Sequence, residues 1–166
     1  MIKKVCIFVF ASILLVACGI YSFTGASISP DTETVSIGYF QNNASMIQPT
    51  LSNRMTESLK DQFISQTNLS LTDVSGDLQF EGEITGYKVK PIAIQSNETA
   101  AQNRLTISVK VTFNNTLDAS QNYSQSFSHY ADFDSSQDLS SVETELIDQI
   151  VEVLSENIFN KAVANW

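Results

Sequence analysis

The sequence predicts an α+β fold: a single small antiparallel or mixed sheet with two helices packed on one face. Three observations predict it. Two segments carry apolar residues at helical spacing, one near the start of the body and one at its end. Between them lie three long stretches in which apolar and polar residues alternate. The resulting order, β-α-β-β-β-α, suits a half-buried sheet whose helices are segregated to one side.

The elements justify themselves in turn. Val35-Ser36-Ile37-Gly38-Tyr39 alternates and predicts a first strand, which Gln41-Asn42-Asn43 breaks. Pro49 and Thr50 open a helix running to about Thr67, with Leu51, Met55, Leu59 and Phe63 four apart and Ile64 beside the last. Glu57, Lys60 and Asp61 fall mostly off that stripe. Leu78, Phe80 and Ile84 then alternate with Gln79, Glu81 and Glu83. Past Gly86 the apolar phase moves to Tyr87 and Val89, which predicts a bulge. Asn97 to Asn103 is a polar turn region. Leu105, Ile107, Val109, Val111 and Phe113 alternate without error, the clearest strand in the chain. Asn114 to Asn122 is a polar connection interrupted by Leu117, and Tyr123, Phe127 and Phe133 mark the next strand. A long helix follows from about Ser141 to Val163, with Ser140-Ser141-Val142-Glu143 as a capping box. Its apolar face is Ile147, Ile150, Val151, Leu154 and Ile158. Trp166 is expected to pack back on the core.

The N-terminus is of another kind. Lys3 and Lys4 precede an apolar run from Val5 to Ala17 broken only by Ser12. A spanning helix needs roughly 20 residues, so this run has signal-peptide rather than transmembrane length. Leu15-Val16-Ala17-Cys18 matches the lipobox of bacterial lipoproteins. Residues 1–17 therefore read as a signal peptide and Cys18 as the lipidated first residue of the mature chain. Residues 18–34 form an extended leader rich in Ser, Thr and Gly, and residues 35–166 the folded domain. Tyr21, Phe23 and Ile28 are apolar enough for part of the leader to dock.

Cleavage would leave 149 residues, enough for one domain with a full core. Losing Lys3 and Lys4 would take the net charge from −9 to −11. Cys6 would be discarded with the signal and Cys18 acylated, so no thiol would remain for a disulfide, a metal or catalysis. More than one acyl chain anchors a protein stably where one does not, so the membrane would be reached through the N-terminal lipid. An acidic body excludes nucleic acid as a natural partner. Any anionic ligand must meet a local basic patch.

No catalytic signature is present: no G-x-S-x-G, no H-E-x-x-H, no phosphate-cradling glycine loop. His129 is the only histidine and shares strand parity with Phe127 and Phe133, which suits a structural role, because acid–base work needs a partner in reach. Asp132, Asp134, Ser136, Asp138, Ser140 and Glu143 have the spacing of a calcium loop. Gln137 stands where that loop wants glycine, and acids and hydroxyls at a helix start are also explained by capping and the helix dipole. No metal and no cofactor is expected. Lys88, Lys90, Arg104 and Lys110 lie on two neighbouring strands and would give the outer sheet face a cationic patch. They read equally as a site for phosphate or carboxylate groups and as charges for solubility and edge protection.

Four strings carry a family resemblance: Cys18 to Phe23, Phe80-Glu81-Gly82-Glu83-Ile84-Thr85-Gly86-Tyr87, Ala131 to Ser136, and Asn157 to Trp166. Together they resemble the LptE family across nearly the whole mature chain. The resemblance implies an outer-membrane lipoprotein that partners the β-barrel LptD, sits inside it as a plug, helps it assemble and helps lipopolysaccharide reach the outer leaflet. It implies a small sheet with two helices on one side and no enzymatic activity. It supplies no binding motif for transfer residue by residue, so Lys88, Lys90, Arg104 and Lys110 rest on charge placement alone. The rival readings are a periplasmic binding lipoprotein for another amphiphile or envelope polymer, which needs a closed apolar pocket, and a lipoprotein enzyme.

Overall fold

The computed structural model describes residues 28–92 and 101–163. The signal peptide, Cys18, Tyr21, Phe23 and Trp166 lie outside the described residues. In chain order the elements are β1 (Thr34–Ile37), β2 (Gln41–Asn42), α1 (Leu51–Gln66), β3 (Ser70–Leu71), β4 (Leu78–Ile92), β5 (Gln102–Asn115), a 3-10 turn (Ala119–Gln121), β6 (Tyr123–Asp134) and α2 (Leu139–Val163). The fold is α+β, as the sequence predicts, with one six-stranded mixed sheet of order β3-β1-β4-β5-β6 and β2 also pairing β4.

Strands β4, β5 and β6 form an antiparallel meander. Strand β1 runs parallel to both β3 and β4, and β2 continues along β4 where β1 stops, with Gln41 opposite Glu83. Parallel neighbours need a crossover, usually helical, and α1 supplies it between β1 and β4. Two expectations are corrected here. The first strand ends at Ile37, so Tyr39 is 59% exposed while Phe40 enters the core. The predicted break at Gln41-Asn42 is itself a strand. Two-residue strands such as β2 and β3 are set by what they dock against, and no local pattern marks them.

The predicted bulge is real: the β4–β5 register shifts between Ile84 and Gly86. Before it, Leu78, Phe80 and Ile84 face the core; after it, Tyr87 does. On β5 every residue of the predicted stripe, Leu105 through Phe113, is buried.

Both helices cover this inner face. Leu51, Met55, Leu59 and Phe63 of α1 are fully buried. Ile64 is 57% exposed, against expectation, because a step of about 100° along the helix carries it away from Phe63. Gln48 caps α1: its Oε1 accepts from the amides of Thr50 at 2.6 Å and Leu51 at 3.1 Å. All five residues predicted for the face of α2 are buried, joined by Leu146, Phe159 and Val163. The helix begins at Leu139, earlier than predicted, and Glu143 does not close a capping box. Its carboxylate accepts from the Tyr87 hydroxyl at 2.5 Å instead.

The layers are tied together by aromatic rings. Phe159 meets Phe63 at 4.9 Å, Phe63 meets Phe80 at 5.0 Å, Phe80 meets Phe113 at 4.8 Å and Phe113 meets Tyr123 at 5.2 Å. This path joins both helices to three strands, and each such pair contributes roughly 0.5–1.5 kcal/mol beyond area burial. Ser155 and Ser58 bond at 2.9 Å between the helices, and Arg54 pairs with Asp148 across them.

Candidate functional site

With both helices on one face, the other face of the β4-β5-β6 meander is left uncovered among the described residues. The bulge decides what it displays. Up to Ile84 the even positions of β4 point inward; the extra residue at Thr85 reverses the parity, so Lys88 and Lys90 point outward. Without it both ammonium groups would be aimed at the core. On β5 the even positions are outward throughout, which places Arg104 and Lys110 on the same face.

The four cations do not form one patch. Lys88 lies opposite Thr106 and Lys90 opposite Arg104, so these three share a corner. Lys110 lies opposite Glu83, four residues beyond Thr106, or about 13 Å at roughly 3.3 Å per residue. There it borders an open depression with Glu81, Glu83 and Thr112. Arg104 is engaged on its own sheet. Its Nε and one terminal nitrogen donate to the two Asp132 oxygens at 2.7 and 2.8 Å, and its guanidinium carbon sits 3.5 Å from the centre of the Tyr130 ring. The Arg104 hydrogen bond holds the Asp132 carboxyl below the usual range, and the same bond raises Arg104. Lys88 and Lys90 make no ion pair with the described residues.

Between the two cationic positions, and again beyond Lys110, the face is lined with hydroxyls. Ser108 and Ser128 bond at 2.9 Å, and Thr112 and Ser124 at 3.2 Å, both across the β5–β6 pair. The signal was present as Ser124, Ser126 and Ser128 at alternate positions, and sequence reasoning passed over it in favour of the aromatic residues of that strand.

The acidic loop is spread over both faces of the molecule. Asp132 points outward to Arg104, Asp134 accepts from the Ser136 amide at 2.8 Å, and Glu143 turns inward to Tyr87. Among the described residues no group of three or more His, Cys, Asp or Glu side chains could hold a metal ion. His129 pairs with Ile107 on the inner parity and is half-buried. Nor is any described helix long and apolar enough to cross a membrane.

The family model described as "LptE: Lipopolysaccharide-assembly" matches residues 32–162. The chain belongs to the LptE family. None of the curated proteins compared with it matches. Two solved structures share the fold. A minor lipoprotein from Acinetobacter baumannii is 11% identical, with 78% of this chain and 91% of that one covered at a TM-score of 0.50. A neuraminyllactose-binding hemagglutinin homologue from Helicobacter pylori is 10% identical, with 85% of this chain and 91% of that one covered at a TM-score of 0.52. At such identities the likeness speaks for the fold alone.

For this LptE-family chain the match spans β1 through nearly all of α2, so the elements that build the outer face lie inside it. What that face offers chemically is three ammonium groups without an ion pair among the described residues, Lys110 among them but beside Glu81 and Glu83, together with a fixed guanidinium and a field of hydroxyls. Such a surface can bind anionic or sugar-like groups by charge and hydrogen bonding.

Proposed function

We propose that this protein is an outer-membrane lipoprotein, anchored through lipid on Cys18, that assembles with an LptD-type β-barrel, plugs its lumen and assists the passage of lipopolysaccharide to the outer leaflet. The observation that carries the reading is the family match over residues 32–162. The outer sheet face supports it. Barrel interiors are polar, and a plug needs a wet, hydrogen-bonding surface rather than an apolar one. Thr106, Ser108, Thr112, Ser124, Ser126 and Ser128 supply that surface. In this proposal the protein acts by binding and not by catalysis, and Lys88 and Lys90 meet phosphate groups of lipopolysaccharide, with Arg104 beside them.

Purification from membranes in mild detergent, through a tag after Trp166, tests the partner. An LptD-type barrel should co-purify at about one to one. Depletion should lower the amount of assembled barrel and of surface lipopolysaccharide. Cys18→Ala should abolish fatty-acid labelling and release the protein from its lipid anchorage. If no barrel protein is enriched and surface lipopolysaccharide is unchanged on depletion, the assembly reading fails.

A further inference from the structure

The sheet has two long stretches of open edge among the described residues, and they differ in kind. One is β4 beyond its pairing with β2, from Gly86 to Ile92. It carries Lys88, Lys90 and Pro91 and follows a bulge. Those are the devices that keep an edge from pairing with another chain. The other is the whole of β6, Tyr123–Asp134, which has β5 as its single neighbour. Strand β6 has none of these devices. Its register with β5 is continuous over twelve pairs with no bulge, it contains no Lys, Arg or Pro, and its only charges are Asp132 and Asp134 at one end. Every second residue of such a strand directs an N–H and a C=O away from the sheet.

We propose that the outer edge of β6 is a docking site for an extended protein segment that joins the sheet as an additional antiparallel or parallel strand. The side chains define the occupant. On the outer face Ser124, Ser126, Ser128 and Tyr130 call for short hydroxylated neighbours, continuing the Ser108–Ser128 and Thr112–Ser124 pairs already present. On the inner face Tyr123, Phe127 and Ala131 are half-buried apolar side chains at the margin of the core, and small apolar residues on the added strand would cover them. Asp134, not paired with a cation among the described residues, favours a basic residue beside it. The occupant is thus a neutral, alternating segment with one positive end.

A second β6 edge is a poor match. Helix α2 rests over β6 more than over β5, so antiparallel pairing of two β6 edges would crowd two α2 helices onto one face. Neither pairing direction would bring a basic residue to Asp134, since β6 holds no Lys or Arg. A strand of a closed barrel wall does not fit either, because its backbone groups are already paired. The segment must be free on both edges and bring no helix of its own: an extended loop or tail of a partner. This inference stands on edge geometry and does not rest on the proposed barrel partnership.

The test uses the full-length lipoprotein in detergent and a fluorescein-labelled peptide of alternating Thr or Ser and Val ending in Arg. Anisotropy should report saturable binding, and hydrogen exchange at alternate β6 amides should slow at least tenfold. The same peptide with a central Pro should not bind. Gln125→Pro and Ser126→Pro occupy adjacent positions, so one of them removes an outward N–H and the other a β5 ladder bond. The outward one should keep the native circular dichroism and lose peptide binding at least tenfold. Protection at Gly86–Ile92 in place of β6, unchanged exchange at β6, or β6 protection that grows with protein concentration alone would each overturn the proposal, the last by making the occupant a second copy.

Discussion

The ring of Phe40 occupies the space that a Cβ on Gly82 would fill. Gly82 faces inward between Phe80 and Ile84, opposite Val111, and the fully buried Phe40 ring closes over it. The glycine is therefore required by close approach, since its backbone conformation is one any residue adopts. Gly82→Ala should destabilise by about 1–3 kcal/mol through overpacking. Phe40→Ala should cost about 3–5 kcal/mol through the cavity it leaves. Because the two act on one volume, Gly82→Ala combined with Phe40→Leu should lose less than the sum of the singles. Urea denaturation of wild type, Gly82→Ala, Phe40→Leu and the double variant checks this, and simple additivity would show that the two sites do not share space.

Tyr87 and Glu143 join the sheet to α2 near its start. Burial first, and then the Glu143 carboxylate that accepts its proton, push the Tyr87 phenol well above its ordinary value. Burial alone does the same for Tyr123, whose hydroxyl is buried without a partner among the described residues. Raised folded pKa values give stability that is present below the unfolded value, about 10 for tyrosine, and lost as pH rises past it. The protein should therefore lose stability steeply above about pH 10. Tyr87→Phe should cost roughly 1–2 kcal/mol at neutral pH, by leaving Glu143 unpaired, and should flatten the alkaline limb. Denaturation midpoints from pH 7 to 11 are the measurement, and an unaltered alkaline limb in the variant would assign the effect to other groups.

How much of this was legible in the sequence depends on where the cause lay. The stripe of β5, the faces of both helices and the bulge near Gly86 follow from periodicity, which is local. Phe40 was not legible, because its burial answers a missing side chain forty-two residues away at Gly82. Strands β2 and β3 were not legible either, being two residues long and held by β4 and β1. For the candidate site, the parity of Lys88, Lys90, Arg104 and Lys110 could be read and their shared face is observed. Their separation could not be read, since it depends on the register that sets Lys110 opposite Glu83 and on Asp132, from a third strand, claiming Arg104.

At the opposite end of the sheet from Arg104, Asp77 fixes β1 to β4. Its carboxylate accepts from the amides of Glu33 at 3.0 Å and Thr34 at 2.9 Å and from the Thr34 hydroxyl at 2.8 Å. The Glu33 amide is the first cause of its lowered pKa, followed by the two Thr34 donors. A lowered folded value means stability present above the unfolded pKa, about 3.9, and lost as pH falls through the folded one. Asp77→Asn keeps the shape and one acceptor but removes the charge. It should lower the midpoint of thermal unfolding at pH 7, and the gap to wild type should begin to narrow once pH falls below the unfolded value and close as it passes through the lower folded one. A gap that stays constant from pH 7 to pH 3 would mean that the charge contributes nothing.

The cationic corner makes the sharpest division among the four predicted ligand residues. Lys88 and Lys90 are exposed, without an ion pair among the described residues, on one side of Arg104. Lys110 stands apart against Glu83. Lys88→Gln with Lys90→Gln should weaken binding to purified lipopolysaccharide several-fold, a loss of about 1 kcal/mol for two solvated charges. Added salt should erase most of the difference, as screening shortens the reach of the remaining field. Lys110→Gln should change binding little. Arg104→Gln should act differently from all three: it leaves the Asp132 carboxylate without its neutralising partner two strands, or about 10 Å, from Lys90, so it should weaken binding more than loss of one cation does. Restoring neutrality with Asp132→Asn in the same chain should recover part of that loss. Unfolding midpoints should stay close to wild type in the lysine variants, because their side chains lie in water. Surface plasmon resonance at two salt concentrations separates these outcomes. If Lys110→Gln weakens binding as much as the Lys88 and Lys90 pair does, the ligand is held by overall charge and the corner has no special part in it.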